Sequence, residues 1–291
     1  MEFFVSYLVD GLARGSLYAL IVVGITLLLL TRGIVHFGFP YIVIMTAYLG
    51  WVVLGLTNNN LLIALPAFII IGIILTMATE PLYRPLARKR AVLESLVLGQ
   101  GIAILFTDIW SHFFIHGQLI NFPPSLAAGG GRISYGIIYF TLADIYALAV
   151  GIISVAILFY FLYRSKQGRA IRAMAQDLNI ARSLGIPFNK TGLVGFGVAG
   201  ALAGVVAICI AMVLETIGPS SGDGIAVKAL VLILFAGMGN LTGGLVCALM
   251  LGVIEAMAQA FMPGRWTNAI TFGIIMLVIL VRPNGVFGSR T

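Results

Sequence analysis

The sequence is short of charge. Of its 291 residues only 9% are Asp, Glu, Lys or Arg, while 60% are hydrophobic. Soluble domains carry about 25% charged residues, so this chain could not clothe a water-facing surface. It is also short of cysteine. Cys209 and Cys247 both fall inside apolar runs, which reads as inert packing rather than a disulfide framework. No G-x-x-x-x-G-K-[ST], H-E-x-x-H or C-x-x-C occurs, which removes P-loop ATP hydrolysis, zincin chemistry and dithiol redox chemistry. The surplus of 17 basic over 10 acidic residues, a net charge of +7, would suggest nucleic acid in a soluble protein. In a chain this apolar it marks cytoplasmic loops, and no nucleic acid is expected as a partner.

Long apolar runs fill the space. Leu12–Leu30, Leu61–Ala78, Ile137–Tyr163, Leu193–Leu214, Ala226–Phe261 and Ile270–Val281 hold few or no charges. Crossing a bilayer takes about 20 apolar residues, and continuous runs exclude the alternation of membrane β-strands. The fold class is an all-α integral membrane protein, a polytopic bundle of about eight transmembrane helices, with broken helices as an option. Residues 1–291 read as one membrane domain. Glu2 and Asp10 replace a basic start, so no cleavable leader is expected.

Basic residues orient the spans. One cluster is Arg84, Arg88, Lys89 and Arg90; the other is Arg164, Lys166, Arg169, Arg172, Arg182 and Lys190. Both are expected inside, with an external start and a cytoplasmic end at Arg282 and Arg290. The fifth span is expected at about 139–163 and the last at about 267–282.

Two interruptions stand out. Gly237–Gly244 splits the 226–261 run, and Arg32–Pro40 separates the first two spans. Each is either a tight turn or a break at membrane depth. Breaks are tolerated there only where protein or water satisfies the freed backbone, and transporters bind substrate at them. On the second reading, His36, Phe37, Phe39, Pro40, Met238, Asn240 and Thr242 approach a translocation path. Gly11/Gly15, Gly200/Gly204 and the 244–260 ridge of Gly and Ala allow close helix packing. His112 and His116 lie four apart, which suits an interfacial pair or, with a third ligand, a metal; none is near, so no metal is assigned. Asp108 and Glu255 are the ionisable residues singled out within spans, the groups a proton relay would need.

One segment is different. Gly168–Ile186 is polar and helix-like, with Ile171, Met174, Leu178 and Ala181 on one face. Arg169, Arg172, Gln176, Asn179 and Ser183 lie on the other, and Gly185 and Pro187 supply a stop. Such a helix either rests on lipid or docks in a partner's groove with Ile171 and Met174 as anchors.

The same segment, GRAIRAMAQDLNIARSLGIP followed by FGVAGALAGVVA, resembles the permeases of ABC importers for branched-chain amino acids, of the LivH type. GLARGSLYALIVVGITLLL, YRPL at 83–86, the 227–256 region and RPNGVFG at 282–288 resemble the same family in the same order. The resemblance implies an ATP-driven importer in a bacterial-type inner membrane. It implies a second, related permease, two cytoplasmic ATPases that hold ATP and Mg, an extracytoplasmic solute-binding protein, and no cofactor on this chain. It makes residues 164–191 the coupling segment, with Arg169, Ile171, Arg172, Met174, Asp177, Leu178, Arg182 and Gly185 toward an ATPase. One departure concerns substrate: the family's N-F-A-H-G reads His36–Phe37–Gly38–Phe39–Pro40 here. Hydrophobic amino acids are the expected cargo. Urea or a short amide, and a proton-coupled carrier, are the alternatives.

The orientation can be tested with single cysteines at Asn59 and Ser165 in a background without Cys209 and Cys247. An impermeant thiol reagent added outside should label position 59 and spare 165; the reverse pattern would invert the topology.

Overall fold

A computed structural model describes residues 2–89, 91–113, 118–123, 126, 131–135, 138–214, 216–261 and 285–287, with isolated positions 269, 273, 276 and 280. His116, Arg90, Arg282, Arg290 and nearly all of the expected last span lie outside the described residues.

Ten helices carry the fold among the described residues. They are α1 (Glu2–Arg32), α2 (Phe39–Leu56), α3 (Leu61–Lys89), α4 (Val92–Phe113), α5 (Leu142–Arg164), α6 (Lys166–Gln176), α7 (Leu178–Ser183), α8 (Phe188–Val213), α9 (Ser221–Ala236) and α10 (Leu241–Phe261). Seven of them, all except α6, α7 and α9, are long and apolar enough to cross a membrane. At about 1.5 Å per residue, the 16 residues of α9 fall short of a hydrocarbon core about 30 Å thick. The all-α, polytopic class therefore holds. With α9 the chain traverses the bundle eight times by Phe261, which returns it to the side where α1 starts. A cytoplasmic chain end would need one further crossing, in the stretch left undescribed.

Short strands decorate the end away from α6. β1 (Ile120–Asn121) pairs with β4 (Thr216–Ile217), and β2 (Arg132–Tyr135) pairs with β3 (Ile138–Thr141). The hairpin corrects the expected start of the fifth span. Ile138, Tyr139 and Phe140 are β-branched or aromatic and suit a strand, and α5 starts only after Thr141, its N-cap residue.

The helices α1, α2 and α8 are mostly buried, while α3, α4 and α5 present most of their surface outward. Two glycine crossings set the core. A Cβ on Gly252 of α10 would strike the backbone of Gly11 and Gly15 on α1, and one on Gly72 of α3 would strike Gly200 and Gly204 on α8. Lipid tails are as apolar as leucine, so close backbone contact rather than hydrophobic exclusion holds such helices together. The sequence offered both pairs and the ridge, but it did not offer Gly72.

Of the two readings of 237–244, the structure shows the turn. Gly237 and Gly239 both have φ of 89°, a region that favours glycine, and α10 restarts at Leu241. The turn lies beside Leu29–Gly33 at the end of α1 and beside 174–178. It therefore sits at the end of the bundle that carries α6 and α7. The start of α9 is the segment that enters deeply: Gly222 lies against the ring of Tyr41, in the first turn of α2.

Gly252→Val would drive α1 and α10 apart. Overpacking of this kind costs about 1–3 kcal/mol or more, so thermal unfolding in detergent should occur at a clearly lower temperature, while Gly55→Val, where a Cβ meets open space, should leave it unchanged.

Candidate functional site

Ser165 starts the coupling segment by accepting a hydrogen bond from the Gly168 N–H at 2.8 Å, a side-chain cap at a helix start. The expected single helix is in fact two. Asp177 leaves helical geometry, with φ −151° and ψ 114°. Its carboxylate accepts from the N–H groups of Asn179 (2.7 Å) and Ile180 (3.0 Å). An aspartate that competes for backbone N–H groups ends one helix and caps the next. At the far end Ile186 N–H donates to Ala181 O (3.1 Å) and Gly185 N–H to Arg182 O (2.9 Å), with Gly185 at φ 80°. This is a Schellman stop, where the sequence placed it.

Burial reassigns the faces of this segment. Ile171 and Met174 are buried within the chain itself, at 0% and 5% exposure. They hold α6 to the bundle and are not free to anchor a partner. Arg172 also turns inward: its Nε donates to Leu162 O (3.2 Å) and its guanidinium lies over the Tyr163 ring (4.4 Å). Leu178 is half-buried, and Arg169, Asp177, Arg182 and Gly185 are exposed. The exposed apolar residues are two that the sequence reading passed over, Ile180 (60%) and Leu184 (75%). They lie four apart, one helical turn. A surface cavity of about 710 Å³ beside them is lined by Arg88, Arg182, Lys190 and the 185–189 chain.

A second cavity, of about 470 Å³, ties the segment to the rest. Its walls come from the α6–α7 junction (174–178), the end of α1 with Gly33 and Val35, Val92, and the Met238–Gly239 turn. Both sequence interruptions thus border one space. The individual residues differ in role. Met238 is exposed at 66%. The side chain of Asn240 accepts from Gly243 N–H (2.8 Å) and donates to Phe287 O (3.1 Å), so it caps α10. Thr242 is exposed at the start of α10. His36, Phe39 and Pro40 are buried in the packing. His36 Nε2 lies 3.0 Å from Thr79 Oγ1, and its ring lies 4.1 Å from that of Tyr83. Phe37 is half-buried and stands beside Tyr41.

Among the described residues, buried charged side chains meet in two clusters. Arg32 pairs with Glu80, both side chains fully buried, and Arg84 completes a fork on the same carboxylate at 2.6 and 3.2 Å. The Arg32 and Arg182 guanidiniums each lie over the Phe188 ring, at 4.3 and 4.5 Å, so one aromatic ring links the end of α1 to α7. Deeper in, Lys228 Nζ donates to Glu255 Oε1 (2.6 Å) and to Tyr18 Oη (3.1 Å), while Tyr18 donates to Glu255 Oε2 (3.0 Å). Glu80 and Lys228 were missed from sequence. A lysine inside the apolar 226–236 run was the available signal, as was a glutamate four residues before Arg84.

Asp108 and His112 face outward, 3.2 Å apart. Among the described residues no three His, Cys, Asp or Glu side chains gather. Gly218–Gly222 has the spacing of a nucleophile elbow, which would place the nucleophile at Ser220, but the two described histidines engage Thr79 and Asp108 instead.

Spanning helices, a polar segment at one end and buried charges that are paired define a multi-pass membrane protein. Residues 7–280 match the model of the family described as branched-chain amino acid transport system / permease component. The chain belongs to that family and is a transport permease component, not an enzyme. It is 28% identical to the high-affinity branched-chain amino acid permease BraD of Pseudomonas aeruginosa and 25% identical to LivH of Escherichia coli. Each match covers 98% of this chain and 96% of the relative. It is also 23% identical to a probable LivH of Methanocaldococcus jannaschii, over 94% of this chain and 89% of that one.

Glu255→Gln would leave Lys228 buried without its counter-charge. Breaking a buried pair from one side costs about 3–5 kcal/mol, while apolar replacement of both partners is often near neutral. Thermal unfolding should therefore show a large loss for the single variant and recovery for Lys228→Leu/Glu255→Leu. Equal losses would mean the pair does not act as a unit.

Proposed function

We propose that the chain imports branched-chain or other hydrophobic amino acids across a bacterial-type inner membrane, as one permease of an ATP-driven assembly. Its partners are a related permease, two cytoplasmic ATPases that bind ATP and Mg, and an extracytoplasmic binding protein. Lipid surrounds the apolar outer faces. The relatives, named as branched-chain amino acid permeases, support the cargo. The observation that carries the mechanism is the 470 Å³ cavity. Its walls bring the α6–α7 junction close to both interruptions, and the Phe188 ring, shared by Arg182 of α7 and Arg32 of α1, gives a push on the exposed face of α7 a packed route to the end of α1. Phe37 and Met238, the apolar members of the expected path that are not fully buried, supply contact for a passing side chain, and backbone polar groups at the two interruptions replace its water. His36, Phe39 and Pro40 hold the first interruption in shape, and Asn240 holds the second.

In this reading Ile180 and Leu184 are the anchors in an ATPase groove, rimmed by Arg169, Asp177, Arg182 and the bend at Gly185. Ile171, Arg172, Met174 and Leu178 transmit the load to the bundle. A proton-coupled carrier is disfavoured because Glu255 is already neutralised by Lys228 and Asp108 faces out of the chain.

Leu184→Asp and Ile180→Asp should each remove a central anchor, worth about 2 kcal/mol or more at a hot spot. Substrate-stimulated ATP hydrolysis by the purified assembly should fall while the permease still inserts. Normal stimulation in both variants would rule out α7 as the docking element.

A further inference from the structure

The outer faces of the three peripheral spans are not alike. The exposed residues of α3 through the span are Leu62, Ile63, Pro66, Ile70, Ile74 and Ala78. The outward face of α5 is Ile152, Ile153 and Ile157, with exposed Tyr146 toward one end and Tyr160 and Tyr163 toward the other. Apolar centres with tyrosines near both ends suit lipid. The exposed stripe of α4 reads Glu94, Val97, Gly101, Leu105, Asp108 and His112. The steps of three and four residues put it on one helical face.

This stripe lies deep. Trp110 packs on Tyr48 with ring centroids 4.4 Å apart. Tyr48 stands more than two turns before the end of α2 at Leu56, about 12 Å at the helical rise. Asp108, half a turn further in, is therefore well inside the span; its side chain is 70% exposed and lies 3.2 Å from His112 Nδ1, one turn along the same outward stripe. Gly101 is deeper still. An ionisable group facing lipid at such depth costs about 3 kcal/mol or more, so lipid is a poor cover. Gly101, where an added Cβ meets nothing within 4 Å, offers a bare backbone patch for a neighbouring helix.

We infer that α4 is the surface against which the second permease subunit packs, through Gly101 and Leu105, with that subunit supplying a donor to Asp108. The inference rests on the reading that two permeases act together. A second copy of this chain fits poorly. Two subunits inserted in the same sense about a twofold axis bring equal depths together, so each Asp108–His112 pair would meet an identical pair with like groups level, and like carboxylates in a low-dielectric setting oppose each other's ionisation. A related subunit with a hydrogen-bond donor or cation at that depth is complementary. The adjacent face continues the polar theme: Tyr41 of α2, packed with Ala103 of α4, donates to Asp223 of α9 at 2.7 Å, and Asp223 is exposed.

The test attaches a maleimide-linked benzophenone to single cysteines in a Cys209→Ala/Cys247→Ala background and illuminates the intact assembly in native membranes. The sites are Gly101→Cys and Leu105→Cys on α4, with Ile70→Cys on α3 and Ile153→Cys on α5 as controls. The expected result is a two-permease adduct from positions 101 and 105, absent from 70 and 153, whose peptides come from the related subunit. Adducts from the control sites instead, or only lipid adducts from α4, would overturn the assignment of this face. Peptides from a second copy of this chain would overturn the choice of partner. Co-purification from the same membranes separates the two layers: a second permease present without an α4 adduct sinks only this inference, whereas no second permease at all sinks the reading beneath it.

Discussion

Lipid supplies no hydrogen bonds, and most of this structure follows from that. A polar group taken to depth must find its partner within protein. Arg32 is tolerable because Glu80 neutralises it and Phe188 covers it; Lys228 is tolerable because Glu255 and Tyr18 converge on it. Each cluster spans elements far apart in sequence. Their cost when broken makes them joints: α1 is tied to α3 and α8 at one level and to α9 and α10 at another.

The joints also fix the polar segment after α5 to the membrane helices. The segment after α5 is not a loose flap. Ile171 and Met174 are driven into the bundle, Arg172 is locked over Tyr163, and Arg182 shares the Phe188 ring with Arg32. Force applied at the exposed side of α7 has a rigid route to the end of α1. The bend at Asp177 separates the two jobs, with α6 as the bundle side and α7 as the exposed side.

The same rule ranks surfaces. Where α3 and α5 meet the outside, their side chains are what a hydrocarbon would accept. Where α4 does, Asp108 and the bare backbone at Gly101 interrupt the apolar residues, and that mismatch is information about what lies beyond the chain.

Much was legible in the sequence because it depends on local order. The length and polarity of the runs gave membrane helices, since 20 apolar residues have no other stable use. The grouping of arginines gave a common end, and the Gly185–Pro187 stop and the Gly pairs were visible as spacing. The site was only half legible. A helical wheel marks the apolar face of Gly168–Ile186 but cannot say whether the bundle or a partner claims it. That depends on what lies beneath, and here the bundle claims Ile171 and Met174, leaving Ile180 and Leu184 outside. The break at Asp177, the Gly72 crossing, the fork on Glu80 and the pairing of Lys228 with Glu255 all depend on contacts between distant segments. Sequence determined which residues could enter the membrane; only the tertiary structure decided which polar ones met there, because a charge at depth is allowed by its partner and not by its neighbours in the chain.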